Sequence, residues 1–433
     1  MHYFYSLLAV LLTVTAVPVF IYRLIREEGF GERLKQSFGI LPKEVIVNVA
    51  NKQAIWLHAA SVGEIVAASP IAREIKNQMP ERTMVISVVT TSGYEMAKRI
   101  IPQADGLIYF PLDLPWLSNW VVRAIKPAII LLVETELWPN FLKTARKSDI
   151  PVMMVNGRIS DKSVNRYRYL GSVLQDMIMS VKKFCMQSSI DVKRIISLGA
   201  NPELVFNTGN TKYDQTYTEV SAEEKEQLMT LYGFKERGPI IVAGSTHRGE
   251  EEYLFTALAY IRTIMPQVVM LLAPRDILRV EEVEKLAAEY GFNSLRRSTL
   301  PGKSQEHDVV ILDTIGELGR VYSLGDVIFV GGSLVARGGH NILEPAAHGK
   351  PIIVGPHMFN FKEIHALLTK SEACLTVTGQ ETLSQALREI LQNNELAMRM
   401  SENSWAVIKA NRGAAIRNVQ ELKKLEETLK RRN

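Results

Sequence analysis

Several of the commonest catalytic and binding signatures are missing from this sequence. Its 433 residues include two cysteines, Cys185 and Cys374, with no second Cys or His at ligand spacing. That excludes a zinc ribbon and argues against a disulfide framework. Both thiols stand in apolar runs (KKFCMQ and EACLTV), so buried, reduced side chains and a reducing compartment are expected. Neither G-x-G-x-x-G nor G-x-x-x-x-G-K-[ST] occurs, which disfavours redox dinucleotide chemistry and ATP hydrolysis. G-x-S-x-G and H-E-x-x-H are absent too. No basic stretch is interleaved with aromatics, and a net charge of +5 is too small over this length to point to nucleic acid. Hydrophobic residues at 47% and charged residues at 22% are ordinary for a globular chain and exclude extended disorder.

Charge is also absent from Met1 to Tyr22, and Tyr3–Tyr22 is a nearly continuous apolar stretch. At 1.5 Å per residue, about 20 residues cover the ~30 Å hydrocarbon core of a bilayer. Val14-Thr15-Ala16 has the look of a signal-peptide cleavage site, but no Lys or Arg precedes the apolar run. Arg23, Arg26, Arg33 and Lys35 follow it instead. An uncleaved single-pass anchor over residues 1–22, with the bulk of the protein cytoplasmic, is the expectation.

What is present is a long alternation of short apolar runs with helical stretches, the pattern of a parallel α/β sheet. Strands are expected at Ala54–Leu57, Met84–Val89, Leu107–Phe110, Ala128–Val133, Val152–Asn156 and Phe184–Met186. A second series follows at Ile240–Ala243, Val268–Ala273, Val309–Leu312, Val327–Val330, Pro351–Val354 and Ala373–Val377. Thr208–Val220 is polar and turn-rich and reads as the linker. Two doubly wound, Rossmann-like α/β domains facing each other across a cleft are expected, one over residues 23–215 and one over 216–433. The C-terminal stretch places Leu422, Leu425 and Leu429 on one face of an amphipathic helix, assigned to the second domain.

Ligands of open α/β sheets bind beyond the carboxyl ends of the strands, so the residues following each strand carry the functional signal. His58-Ala-Ala-Ser-Val-Gly-Glu64 follows the first; Ser61 and Glu64 have capping-box spacing, while Ser69-Pro70 offers a second start for the helix. Glu64 is therefore either a cap or a functional carboxylate in a loop or kinked turn. Glu134-Thr135-Glu136-Leu137-Trp138-Pro139 leaves the fourth strand with two carboxylates that gain nothing apolar, which favours a substrate-facing edge. In the second half, Gly244-Ser245-Thr246, Pro274-Arg275, Thr314-Ile315-Gly316-Glu317, Gly331-Gly332-Ser333 and Gly339-His340-Asn341-Ile342-Leu343-Glu344 stand after strands. Each alone is a plausible turn. Together, glycines that admit a phosphate to backbone N–H groups, an arginine for bidentate contact and a glutamate for ribose hydroxyls suggest a nucleotide-activated donor.

Gly31-Glu32-Arg33-Leu34, Ser61-Val62-Gly63-Glu64, the Glu134–Pro139 string, Ala273-Pro274-Arg275 and the segment from Gly331 to Glu344 occur in one order and spacing. In that respect the chain resembles the bacterial Kdo (3-deoxy-D-manno-octulosonic acid) transferases over essentially its whole length. The resemblance implies a GT-B-type glycosyltransferase that moves Kdo from CMP-Kdo to a lipid A precursor (lipid IVA) with inversion and without a metal, at the inner membrane. It implies Glu64 as general base. It places CMP contacts at Pro274, Arg275, Ile315, Gly316, Glu317, Asn341, Ile342, Leu343 and Glu344. Ser61, Gly63, Glu134, Glu136, Ser245, Gly331, Gly332 and Ser333 are further candidates for the substrate surface. Asp276 stands where many members of that family carry His, so no donor contact is carried over to it. No Asp-x-Asp ends a strand, in keeping with metal-free transfer. A nucleotide-sugar epimerase of the same architecture and a membrane-tethered nucleotide-sugar-binding protein are the alternatives; neither accounts for both the anchor and the carboxylates after the first-half strands.

Overall fold

A strand that is apolar along its whole length must be covered on both faces, and the chain meets that demand with helices between successive parallel strands. The computed structural model describes residues 2–27, 29–49, 52–215, 220–301 and 306–431. The chain divides into two compact units, Met1–Gln215 with Asn411–Asn433, and Thr216–Ala410.

The first unit holds β1 (Ile55–His58), β2 (Met84–Val88), β3 (Gly106–Tyr109), β4 (Ile129–Val133), β5 (Val152–Gly157), β6 (Val181–Met186) and β7 (Val205–Asn207). They form one parallel sheet in the order β3-β2-β1-β4-β5-β6-β7. The second unit holds β8 (Ile240–Thr246), β9 (Val269–Pro274), β10 (Ser294–Arg296), β11 (Val309–Ile311), β12 (Val327–Val330), β13 (Ile352–Val354) and β14 (Cys374–Thr376). Its sheet, again parallel, runs β10-β11-β9-β8-β12-β13-β14. Each sheet is doubly wound, with a switch point where the strand order reverses: between β1 and β4 in the first unit, and between β8 and β12 in the second. The expected strands are all present. The unforeseen ones, β7 and β10, are three-residue edge strands whose side chains are only half-buried or exposed, so no apolar run marks them.

Three expectations change. The helix after β1 runs unbroken from Val62 to Gln78, with Ser61 as its N-cap and Pro70 in its interior, so Ser69-Pro70 is not a second start. Pro70 cannot donate to the Val66 carbonyl one turn earlier, and the Ser69 hydroxyl does so instead at 3.1 Å. Second, the C-terminal helix Ala414–Lys430 belongs to the first unit. Val419, Leu422 and Leu425 are buried in the cluster formed with Ile55, Leu57, Val133 and Cys185, and Leu429 packs against it. Asn418 Nδ2 donates to Thr208 Oγ1 at 3.1 Å, and Lys183 Nζ pairs with Glu421 at 2.6 Å. The Asp214 carboxylate accepts from the N–H groups of Gly413 and Ala415 at the helix start. Periodicity announces an apolar face; it does not say which sheet receives it. Thr208–Gln215 is accordingly part of the first unit rather than a free linker, and residues 216–219 of the expected linker lie outside the described residues.

Third, the apolar N-terminus forms two helices, His2–Thr15 and Val17–Arg26, bent by 44° at a break before Pro18. Among the described residues no single helix is long and apolar enough to cross a membrane, although this bent pair passes that test jointly by length and composition.

Candidate active site

The switch point of the first unit gathers the candidate carboxylates. Glu64 lies in the first turn of helix Val62–Gln78 and its carboxylate folds back: Oε2 accepts from the Ala60 N–H at 2.8 Å and Oε1 from the Ser61 hydroxyl at 2.8 Å. Ser61 Oγ in turn faces the Glu64 N–H at 3.4 Å. The capping geometry is therefore real. Yet a cap on a solvated helix end would remain an ordinary acid, and this one does not. Burial, reinforced by the negative charge of Glu136 and more weakly of Glu134, raises the Glu64 pKa from 4.5 to about 7, against the two hydrogen bonds that favour the carboxylate. Glu64 is both a cap and a carboxyl poised to take a proton near neutral pH.

Glu134 and Glu136 leave β4 beside it. Glu134 has φ +57°, a left-handed backbone that disfavours a side chain with Cβ; it turns the chain sharply off the strand end. Glu136 Oε2 accepts from the Trp138 indole at 3.0 Å. Behind it stands His58, fully buried and stacked on Phe110 with ring centroids 3.9 Å apart. His58 Nδ1 lies 2.9 Å from Ser87 Oγ, while Nε2 lies 3.7 Å from Glu136 Oε2 and has no hydrogen-bond partner among the described residues. Tyr167 closes this corner through Thr135: its hydroxyl donates to the Thr135 carbonyl at 3.2 Å, and burial followed by Glu136 pushes its pKa up to about 12. A Cβ on Gly63 would meet nothing nearer than Ser61 Oγ at 4.0 Å, so the chain's own packing does not require glycine there.

In the second unit, Ser245 (φ +57°) and the Gly331–Ser333 loop meet at the switch point. Glycine is required at 331 because a Cβ would lie 2.7 Å from Thr246 Cα, too close for the adjoining backbone. This loop is not free to cradle a phosphate as expected. Glu250 accepts from the N–H groups of Gly332 (2.7 Å), Ser333 (3.0 Å) and Leu334 (2.9 Å), and also of His247 (2.9 Å). The Ser333 hydroxyl donates to the Val330 carbonyl and accepts from Gly355 N–H at 2.8 Å. Gly332 and Ser333 thus shape the loop through bonds already made within it.

The other candidate residues of this unit differ in exposure. Pro274 ends β9 in a buried position and Arg275 emerges exposed beyond it. Ile315 is 77% exposed, and Gly316 (φ +95°) has open space where a Cβ would be. Glu317 is tied to Arg297 at 2.9 Å. Asn341 receives the Leu343 N–H on Oδ1 and donates from Nδ2 to Glu344 Oε1, both at 3.1 Å, while burial raises the Glu344 pKa. Ile342 and Leu343 are core residues whose side chains hold the turn from below. Asp276 caps the following turn by accepting from Leu278 N–H at 3.0 Å.

Two histidines join this corner unforeseen. His247 and His340 stack at 5.1 Å, and their Nε2 atoms lie 2.8 Å apart. Burial lowers both: His340, with His247 and Arg275 adding to the effect, falls to about 4, and His247 is lowered by burial and by arginines against the raising charge of Glu250. Arg275 acts on both rings, and Arg337 and Arg279 act on His247. Two neutral imidazoles among guanidinium groups mark a positive potential. His340 stands within a motif string and His247 directly after one, but 93 residues separate them and nothing local announces the pair. A cavity of about 700 Å³ in this unit lies instead at the amino ends of β8 and β13, lined by Arg237, Ile240, Asp326 and Lys350; no candidate residue borders it.

A family model described as 3-Deoxy-D-manno-octulosonic-acid transferase (kdotransferase) matches residues 32–215. Over 400 residues, covering 92% of this chain and 92% of the relative, the sequence is 33% identical to a 3-deoxy-D-manno-octulosonic acid transferase of Haemophilus influenzae. It is 31% identical over 363 residues, 83% of this chain and 91% of the relative, to a protein of the same description from Aquifex aeolicus. Among solved structures, a UDP-N-acetylglucosamine 2-epimerase superposes with a TM-score of 0.59 over 86% of this chain and 95% of its own. At 16% identity that likeness concerns the fold alone.

Proposed function

The chain belongs to the 3-deoxy-D-manno-octulosonic acid transferases, glycosyltransferases of lipopolysaccharide core biosynthesis, and we propose that Glu64 is the general base of its transfer reaction. The donor is CMP-Kdo and the acceptor a lipid A precursor. In an inverting displacement, an acceptor hydroxyl attacks the anomeric carbon from the face opposite CMP. The O–H bond breaks as the new C–O bond forms, the proton passes to Glu64, and the bond to the CMP phosphate breaks with its electrons on the phosphate oxygen. The observation that carries this assignment is the Glu64 carboxyl itself, raised to about 7 at the switch point by burial and Glu136. A base with a pKa near the working pH combines a useful fraction in the ionised form with real proton affinity. Gly63 leaves the approach to it open, and Glu134 and Glu136 offer acceptors for acceptor-sugar hydroxyls.

In the donor-binding unit, Arg275 is proposed to meet the CMP phosphate, with Arg337 adding to the positive field and the His247–His340 pair held neutral beside them. Glu344 and Asn341 suit ribose hydroxyls, and Ile315-Gly316 with Glu317 suits the base. Guanidinium groups give the departing phosphate its counter-charge without a metal, so indifference to divalent cations is proposed. The apolar N-terminus with Arg23 and Arg26 behind it supports attachment to the cytoplasmic face of the inner membrane.

The test is transfer from CMP-Kdo to tetra-acylated lipid A precursor by Glu64→Gln, followed by mass spectrometry of the product. The variant is expected to fold, to bind CMP-Kdo and to transfer at least about a hundredfold more slowly. Near-normal turnover with a lowered melting temperature would leave Glu64 a cap and nothing more.

A further inference from the structure

The apolar N-terminus is tied to the first unit near its start, and the chain that follows it returns to the same unit. Near its start, the Tyr5 hydroxyl donates to Asp113 Oδ2 at 3.0 Å, and the Ser6 hydroxyl donates to Asn140 Oδ1 at 2.9 Å. Beyond its end, the helix Phe30–Ser37 docks on the same unit: Leu112 N–H donates to the Ser37 carbonyl at 2.8 Å, and Tyr109 N–H to Gln36 Oε1 at 2.8 Å. Leu112 and Asp113 are consecutive residues, with Cα atoms about 3.8 Å apart. A segment that crossed a bilayer would leave the chain at its two ends on opposite sides of it, so one packed unit could not hold both; here the Thr91 hydroxyl of that unit also donates to Glu27 Oε1 at 3.3 Å, directly after the second helix.

Asp113 cannot follow the first turn into a membrane. It is buried and also accepts from Asn140 N–H, Phe141 N–H and the Ser118 hydroxyl, at 3.0, 2.7 and 3.3 Å, so it is part of the packed body of the unit. The pattern along the first helix agrees. Tyr5, Ser6, Ala9, Val10 and Thr13 are half-buried, whereas Leu7, Leu8, Leu11, Leu12 and Val14 are exposed. Its polar and small side chains turn to the protein and its large aliphatic ones turn away. A helix surrounded by lipid would gain nothing from that division.

We propose that residues 3–26 do not cross the membrane but lie along its surface as a bent, monotopic helix pair, with both ends on the side that carries the catalytic units. The occupant of the exposed face is an anionic phospholipid bilayer. Large aliphatic side chains of both helices, including Ile21, Leu24 and Ile25, face outward, with Arg23 and Arg26 among them and exposed Lys35 close behind. That combination suits acyl chains below and phosphates at the rim. The apolar surface continues on the docking unit itself: Phe38, Ile40, Trp116 and Trp120 are exposed around a hollow of about 570 Å³. The Trp120 indole donates to the Gly39 carbonyl at 3.1 Å, which keeps its polar edge satisfied at the protein side.

This inference refines the membrane attachment proposed above and is independent of the catalytic assignment. A short tag bearing one cysteine is fused ahead of Met1 in the full-length protein; Cys185 and Cys374 are buried and stay silent. A second variant, Ser197→Cys without the tag, reports the side on which the first unit lies, since Ser197 is exposed there. Labelling by a membrane-impermeant maleimide is compared in intact spheroplasts and in inside-out vesicles, with transferase activity as the check on folding. Both cysteines are expected to label in inside-out vesicles and to stay unlabelled in spheroplasts. A tag that labels in spheroplasts while Ser197→Cys does not would overturn the proposal in favour of a spanning segment. Protein recovered wholly in the soluble fraction would overturn it in the other direction, by removing lipid as the partner.

Discussion

Glu64 shows how one side chain can hold a helix end and still keep its chemistry. Its two hydrogen bonds satisfy Ala60 N–H and Ser61, but burial beside Glu136 keeps its pKa at about 7. If Glu64 is the base, its ionised form is the active one, so kcat/KM is expected to fall roughly tenfold per pH unit below about 7 and to level off above it. A flat profile between pH 5.5 and 8 would remove Glu64 from the rate-determining proton transfer. The same shift has a stability consequence of opposite sense. Because the folded pKa lies above the ordinary 4.5, the folded state favours the protonated acid, and that contribution is lost as pH rises through about 7. Glu64→Gln escapes the cost of a buried charge, so its melting temperature at pH 8 is expected to equal or exceed that of the parent. Arg275→Ala is expected to lower kcat/KM for CMP-Kdo by about 10- to 150-fold, the loss of one charge-assisted contact of roughly 1.5–3 kcal/mol. Unchanged kinetics in a folded variant would place the phosphate elsewhere.

At the scale of elements, the loop after β12 is held by a residue that no ligand motif contains. Glu250 is fully buried and takes four backbone N–H groups, from His247, Gly332, Ser333 and Leu334. Removing it leaves those donors without an acceptor inside the second unit. Glu250→Ala is expected to destabilise that unit by about 3 kcal/mol or more, read as a shift of the urea midpoint, and to weaken CMP-Kdo binding through the displaced loop. Loss of donor binding with no change in midpoint would mean instead that Glu250 meets the donor directly.

At the scale of the molecule, the chain returns to its first unit for its last helix. Val419, Leu422 and Leu425 complete the core around Cys185, whose thiol pKa is pushed up by burial. A chain ending at Ala410 is expected to expose Cys185 to thiol reagents while Cys374, buried in the second unit, stays protected. Protection of both thiols in the truncated chain would show that the first unit closes without its C-terminal helix. Deletion of residues 1–26 is expected to move the protein from the membrane to the soluble fraction and to leave Asp113 without the Tyr5 hydroxyl.

The sequence by itself determined the local choices: which apolar runs are strands, that a capped helix follows the first of them, and which side chains stand just past each strand end. Those are settled by apolar continuity, capping chemistry and glycine, all within a few residues. It also carried the family, because widely spaced strings in one order are specific together. Only the tertiary structure decided the rest. The tertiary structure buried Glu64 beside Glu136, and that burial, followed by the neighbouring charge, raises its pKa. Glu250 claimed the glycine-loop N–H groups from 82 residues away, at a buried position that no nearby residue specifies. The final helix chose the first sheet because Asn418, Glu421 and Asp214 find partners there. The apolar N-terminus gave length and hydropathy enough for a span, but Tyr5 and Ser37 meet adjacent residues of one loop, and hydrogen bonds between parts of the chain 75 to 108 residues apart leave no trace in either segment alone.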